Sequence, residues 1–393
     1  SVVISDLLTF STNGTLPAGV ENGQLLDSTT PASSPISLTG NAGANQLSGN
    51  ALANVLSGLG GNDLLIGGAG DTLIGGAGDD RFLLPASIGN GVRPTVQEVA
   101  GGGDDTLLTG LNGLDLDGFA NVENLQIIGS VGLIGRGTSG NNRLTGSYGN
   151  DTLIGEAGND TLDGSFGEDS LIGGAGDDTY ILEEDGSLDS VVEAAGVGGG
   201  RDTVRSWLSV NLALYPNVEN VLLVDQKGAT PGSFVASDSN AIGSTLDNLL
   251  TGNTGNNRLD GLAGNDTLSG GAGNDILIGG AGNDSYLFDS DLALGSDTLN
   301  EAGGGSDTLN FSATTTRSIT LNLGLATAQV VNTNLSLNLG SASTFENAIG
   351  GALADRLTGN SLNNSLTGGG GNDTLIGGAG NDSYLFDSDL ALG

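Results

Sequence analysis

Gly261-Leu-Ala-Gly-Asn-Asp-Thr-Leu-Ser269, Gly270-Gly-Ala-Gly-Asn-Asp-Ile-Leu-Ile278 and Gly279-Gly-Ala-Gly-Asn-Asp-Ser-Tyr-Leu287 follow one another without a gap. Each fits the form Gly-Gly-x-Gly-x-Asp-x-U-x, with U apolar, save that Leu262 stands at the second position of the first. The first six residues suit a tight turn, because glycine takes positive φ without steric cost and leaves carbonyl oxygens exposed. The last three suit a strand about 10 Å long with U pointing inward. The chain is therefore expected to run strand, turn, strand, turn, with two turns closing one coil. Apolar residues hold the same phase at Leu144, Leu153, Leu162, Leu171 and Tyr180, and again at Leu250, Leu259, Leu268, Leu277 and Tyr286. A flexible glycine-rich linker has no reason to keep such a phase. A thin stacked core under an aromatic lid does.

Repeats of this form are recognised in calcium-binding parallel β-helices. Calcium takes about 6–8 oxygen ligands, both carboxylate and carbonyl. One turn guarantees one carboxylate, so a full shell needs two turns stacked on the same side. This predicts that Asp151 pairs with Asp169 on one edge and Asp160 with Asp178 on the other. By the same rule Asp266 pairs with Asp284, and Asp355 with Asp373. Asp63, Asp80, Asp275 and Asp382 are further candidate ligands. So are the turn-opening glycines Gly155, Gly164, Gly173, Gly261, Gly270, Gly279, Gly368 and Gly377. Several Ca2+ ions per chain are expected.

Each block opens with turns that carry Asn where Asp belongs: Asn45, Asn54, Asn142, Asn248, Asn257 and Asn364. Asn offers a neutral oxygen and a donor, so it can bridge stacked turns without an ion. Sites shared with such turns, Asn257 with Asp275 and Asn364 with Asp382, should be weak or empty. The turn Gly67-Gly-Ala-Gly-Asp-Thr-Leu-Ile74 is one residue short, which is expected to displace Asp71 and leave the first block least regular.

Composition sharpens this reading. With 72 Gly, 1 Trp, 5 Tyr and 9 Phe in 393 residues, one large compact core is excluded. Forty-six acids against ten bases give a formal charge of −36. In the expected fold many acids sit one strand spacing apart, where like charges repel by about 1–4 kcal/mol per pair. Divalent cations reverse the sign of that interaction, and the acidity argues against nucleic acid as a partner. The absence of His, Cys and Met excludes a Ser-His-Asp triad, a Cys-His pair, a zinc site built on either residue, and disulfides. Metal can replace disulfides as the staple of an extracellular chain. Neither a signal peptide nor an 18-residue apolar stretch appears, so no membrane insertion is expected. A chain without Met that begins at Ser1 is expected to be processed or part of something longer.

Four repeat blocks, 40–83, 137–182, 243–288 and 350–393, alternate with an N-terminal β segment, 1–39, and β-rich connectors, 84–136, 183–242 and 289–349. Asp80, Asp178, Asp284 and Asp382 mark a larger module of roughly a hundred residues. The connectors repeat as well. Glu98-Val-Ala-Gly-Gly-Gly-Asp-Asp-Thr106 resembles Glu193-Ala-Ala-Gly-Val-Gly-Gly-Gly-Arg-Asp-Thr203 and Glu301-Ala-Gly-Gly-Gly-Ser-Asp-Thr308. Asn121-Val-Glu-Asn-Leu125 recurs as Asn217-Val-Glu-Asn-Val221 and, loosely, as Phe345-Glu-Asn347. Ile319, Leu321 and Leu323, then Leu335, Leu337 and Leu339, alternate at strand period, predicting longer strands that continue or flank each roll. The last residues, Asp382 to Gly393, repeat Asp284 to Gly295, so the array is expected to continue beyond them. The sequons at the Asn-Asp-Thr/Ser turns are by-products of the repeat. Glu183, Glu184 and Asp185 read as a solvated loop, and Trp207 as packing.

These blocks resemble the RTX, or hemolysin-type, repeats of proteins exported by bacterial type I secretion. The resemblance implies an all-β fold of tandem calcium-binding parallel β-rolls, a β-solenoid, joined by β-rich segments. It also implies a secreted, cell-surface or extracellular chain that folds once it meets calcium outside. The function expected is a structural or adhesive repeat protein forming a stiff rod, surface layer or filament, not an enzyme. It would self-associate head-to-tail or laterally, with cell-surface polysaccharide as a further partner. The alternative is the non-catalytic repeat region of a secreted enzyme or toxin.

Overall fold

The computed structural model describes residues 7–26, 35–84, 92–182, 188–194, 198–228, 230, 232–301 and 303–385. Glu183, Glu184 and Asp185, and the repeat after Leu385, lie outside the described residues. Helix among the described residues is confined to two 3-10 turns, Leu116–Gly118 and Leu212–Leu214. None is long and apolar enough to cross a membrane. The chain divides into two units, Ser1–Gly200 and Arg201–Gly393.

In the first unit one parallel ladder runs through Gln46–Ser48, Leu64–Ile66, Arg81–Leu84, Thr106–Thr109, Asn124–Ile127, Arg143–Thr145, Thr161–Asp163 and Thr179–Leu182. The strands between them in sequence form two facing parallel ladders. Ile36–Thr39, Asn54–Gly60, Thr72–Ala77 and Thr95–Gln97 make one. Leu114–Asp115, Ile134–Arg136, Thr152–Ala157, Ser170–Ala175 and Ser190–Val192 make the other. Within the second block, partners are 18 residues apart, so Leu144 pairs with Leu162 and Leu153 with Leu171; in the first, the short turn cuts the offset to 17 where Leu64 meets Arg81. Two nine-residue repeats therefore close one coil, and the fold is a parallel β-roll.

The second unit follows the same plan. Thr203–Ser206, Asn220–Leu223, Leu249–Thr251, Thr267–Ser269, Ser285–Leu287, Thr308–Asn310, Asn347–Ile349, Ser365–Thr367 and Ser383–Leu385 form one parallel ladder. Arg258–Ala263, Ile276–Ala281 and Gly295–Leu299 belong to a facing one. The connectors thus contribute rungs to the same ladders as the repeats.

The core is one side chain deep. Leu250, Leu268 and Tyr286 stack on one face and Leu259 and Leu277 on the other, all with 0% exposure. Burial of each stabilises the coil by about 1.5–3 kcal/mol. In the first unit a Cβ on Gly135 would lie 2.7 Å from Leu125 Cδ2 across that core. Two expectations need correction. Tyr286 is an inner rung, not a lid, because Leu309 pairs on its far side and Phe345 meets its ring edge-on at 5.6 Å. Nor are the connector strands the long ones: they span 2 to 5 residues, against 6 or 7 for Thr152–Ala157 and Asn54–Gly60. Pairing in the blocks runs on into the turn, where Glu156 pairs with Gly174 and Ala157 with Ala175.

Candidate metal centres along the coil edges

Turns stack along two edges of each unit, and a side chain at the sixth repeat position links every coil to its neighbour. Its Oδ1 accepts the backbone N–H of the sixth residue one coil earlier. Asn142 donates to Asp160 at 2.7 Å and Asp160 to Asp178 at 2.7 Å. Asn248 donates to Asp266 at 2.7 Å and Asp266 to Asp284 at 2.8 Å. Elsewhere Asp151 donates to Asp169 at 2.7 Å, Asp355 to Asp373 at 2.8 Å and Asn364 to Asp382 at 2.9 Å. The aspartates paired by spacing are therefore neighbours on adjacent coils.

Two turn conformations alternate with ion-binding potential. In the closed turn the sixth side chain folds back to accept the N–H of the second residue. Asn45, Asn54, Asn142, Asn248, Asn257 and Asn364 all do this, at 2.6–2.9 Å. So do Asp71, Asp151 and Asp355, which accept from Gly68, Ser147 and Gly351 at 2.6, 2.7 and 2.6 Å. The Asn amide also donates: Asn142 Nδ2 to the Glu123 carbonyl at 2.7 Å and Asn257 Nδ2 to the Ser239 carbonyl at 2.7 Å. The carboxylate or amide oxygen of a closed turn is thus satisfied by backbone N–H groups.

In the open turn the second residue is left-handed, as at Leu59 (φ 79°), Glu156 (82°), Leu262 (72°) and Gly280 (106°). The second carboxylate oxygen then finds no donor. Oδ2 of Asp63, Asp80, Asp160, Asp266, Asp275 and Asp284 is buried and lacks a hydrogen-bond partner. Asp169, Asp178, Asp373 and Asp382 also belong to turns whose second residue, Ser165, Gly174, Gly369 or Gly378, is left-handed. The first glycine supplies space: a Cβ on Gly155 would strike both Asp160 Oδ2 and the Gly173 carbonyl oxygen. On Gly261 it would strike Asp266 Oδ2 and the Gly279 carbonyl oxygen. Gly164, Gly270, Gly368 and Gly377 likewise sit against the Oδ2 of Asp169, Asp275, Asp373 and Asp382.

An orphaned buried carboxylate is unfavourable by several kcal/mol unless a cation neutralises it. Burial pushes the carboxyls of Asp63, Asp266 and Asp275 from the usual 3.8 up to about 7, and that of Asp160 to about 6. Nearby carboxylates, such as Asp80 beside Asp63 and Asp284 beside Asp266, add to the rise. Convergent oxygens without nitrogen or sulfur suit a hard cation, and the residues present fit calcium. Asp63, Asp80, Asp160, Asp266, Asp275 and Asp284 would hold it, together with glycine carbonyls of the adjoining turn. The ion would cancel the repulsion along the edge.

Asp71 stays in the ladder despite its short turn: Asn54 donates to it at 2.7 Å, and Thr72 pairs with Val55. The missing residue is absorbed where Gly68 closes onto the carboxylate, so Asp71 keeps its place in the ladder while its Oδ2 is taken by that N–H instead of standing open as a ligand. Trp207 is half-buried, and its carbonyl accepts from Ser237 Oγ at 3.2 Å.

Sequence spacing missed the acids of the connectors. Asp105, Asp297 and Asp307 are as buried as the repeat aspartates, each 1% exposed. They accept from Asp80 at 2.7 Å, Asp275 at 3.0 Å and Asp284 at 2.9 Å. Glu123 and Glu346 continue the edge, accepting from Asp105 and Asp307, each at 2.9 Å. The available signal was the Asp-Thr pair, which at Asp297-Thr298-Leu299 and Asp307-Thr308-Leu309 repeats the Asp-x-U ending of the nonapeptide.

A family model, the RTX calcium-binding nonapeptide repeat, matches residues 39–72, 71–83, 136–171, 157–185, 251–286 and 349–384. No curated protein matches the chain. Asp63, Asp80, Asp160, Asp266, Asp275 and Asp284 all fall within the matched ranges, and RTX repeats bind calcium. The chain thus carries RTX calcium-binding nonapeptide repeats in four blocks.

Proposed function

We propose that this chain is a non-catalytic structural or adhesive protein that works outside the cell and takes its folded form when calcium binds. The observation that carries this reading is the continuity of the ladders: connectors supply rungs just as repeats do. Such a scaffold, with acids spaced along its edges, stays unfolded where calcium is scarce and orders where it reaches about 10⁻⁴–10⁻³ M. That suits export as an unfolded chain followed by folding at the cell surface. With calcium cancelling the charge of −36, coils can also associate with one another. An exposed aromatic stack, Tyr148 on Phe166 at 5.0 Å, favours cell-surface polysaccharide as an additional partner. Light scattering and electron microscopy in millimolar calcium test the structural role. Ordered assemblies that dissolve on chelation are expected; isolated monomers throughout would contradict it.

A further inference from the structure

We propose that a connector glutamate completes a three-carboxylate calcium site on the last open turn of a repeat block: Asp80–Glu98–Asp105 in the first unit and Asp284–Glu301–Asp307 in the second. Both glutamates and the third acids lie outside the residues matched to the repeat family. In each cluster one oxygen from each residue lies within 4.8 Å of the others. Calcium–oxygen bonds of about 2.3–2.6 Å put opposite ligands up to about 5 Å apart, so one calcium ion spans the cluster. Magnesium, at about 2.0–2.1 Å, reaches only about 4.2 Å and fits less well.

Unanswered charge points into both clusters. Asp80 is 0% exposed, and Asp105 and Asp284 1%, yet Oδ2 of each has no hydrogen-bond partner. Glu98 Oε1 is buried and equally unpartnered. In an ordinary open turn, the space over the first glycine is shared by the aspartate Oδ2 and a glycine carbonyl from one coil on. After the last repeat the stacked turn is the connector's, where the Gly102 carbonyl accepts the Gly78 N–H at 2.7 Å and the Gly304 carbonyl the Gly282 N–H at 3.2 Å. A Cβ on Gly75 would instead strike Asp80 Oδ2 and Glu98 Oε1, and one on Gly279 would strike Asp284 Oδ2 and Glu301 Oε2. The glutamate thus takes the place of the carbonyl over the first glycine and adds a negative charge.

Both glutamates are held in position. Tyr286 Oη donates to Glu301 Oε2 and accepts the Gly279 N–H at 2.7 Å. Glu98 Oε2 accepts from Gly76 at 3.3 Å, and its backbone carbonyl from Asn121 Nδ2 at 3.0 Å. More ligand charge raises calcium affinity, so these sites fill before those between ordinary repeats. The assignment does not depend on the structural or adhesive role proposed above.

Equilibrium dialysis of the full chain against radioactive calcium tests it, with circular dichroism at saturating calcium confirming that each variant is folded. Glu98→Gln and Glu301→Gln should each remove one bound equivalent, drawn from the tightest class, and the double variant should remove two. An unchanged ion count in folded variants overturns the proposal. Crystals of the unsubstituted chain grown with terbium give a readout that no folding defect can obscure. An anomalous peak in contact with all three carboxylates supports the site; peaks confined to the spaces between repeat turns overturn it.

Discussion

Asp160→Asn is expected to stabilise the metal-free chain and to destabilise the calcium-loaded one. Asp160 Oδ1 accepts the Asn142 N–H at 2.7 Å, a bond that the amide oxygen of Asn can keep, whereas Oδ2 is buried with no donor. Burial pushes the carboxyl from 3.8 up to about 6, so at pH 7.5 the metal-free fold must hold an ion that it disfavours. Each pKa unit corresponds to about 1.4 kcal/mol, which gives about 3 kcal/mol at full value. Solvent at the coil edge screens part of that, leaving about 1–2 kcal/mol gained on substitution. With calcium about a hundredfold above its dissociation constant, a bound ion contributes about 2.7 kcal/mol, most of which the variant loses. Urea unfolding followed by circular dichroism, in chelator and in calcium, measures both effects. If the chelated chain is largely unfolded, osmolyte-induced folding supplies the metal-free comparison. Destabilisation of the same size in both conditions would refute the idea that this carboxylate is arranged for an ion.

Asp151 occupies a closed turn, its oxygens accepting from Leu133 and Ser147, each at 2.7 Å. Asp151→Asn should therefore destabilise by about 1–2 kcal/mol, the loss of one buried acceptor, to the same extent with and without calcium in urea titrations. The metal-free chain should become more stable on acidification. Burial holds Asp63, Asp266 and Asp275 near 7, so the folded state binds more protons than the unfolded one. That stability is complete below about 4 and is lost as pH rises through about 7. In chelator the urea midpoint should be higher at pH 5 than at pH 8, while the calcium needed for half-saturation should rise below pH 7 because protons compete. Leu268→Ala, in the stack between Leu250 and Tyr286, should destabilise by about 2–5 kcal/mol in calcium. Thermal melts should place that loss mainly in the second unit, because solenoid contacts join near neighbours.

The coil was legible because the repeat states its own geometry. Glycine at fixed positions gives the turn, one apolar residue per nine gives the core, and the 18-residue pairing follows from two turns per coil. The distinction between open and closed turns was half visible. Asn marked six closed turns, but Asp71, Asp151 and Asp355 close as well. Residue type alone misses them because closure depends on where the second residue's N–H points. Conversely, Leu59, Glu156 and Leu262 take the left-handed conformation that suits glycine, held there by pairing across coils. The connector acids were hidden by spacing. Asp105 follows Asp80 by 25 residues and Asp307 follows Asp284 by 23, so a fixed period skips them although backbone pairing brings them to the same edge. Glu98 and Glu301 each open a segment that recurs in the sequence, and only the stacked backbone shows what they face.

Calcium binding at the coil edges is expected to be coupled to formation of the β-roll. Circular dichroism of the full chain against free calcium tests it most directly. A cooperative gain of β-structure with a midpoint near 10⁻⁴–10⁻³ M, reversed by chelator, is the predicted result. Full β-structure persisting in chelator at neutral pH would contradict the account.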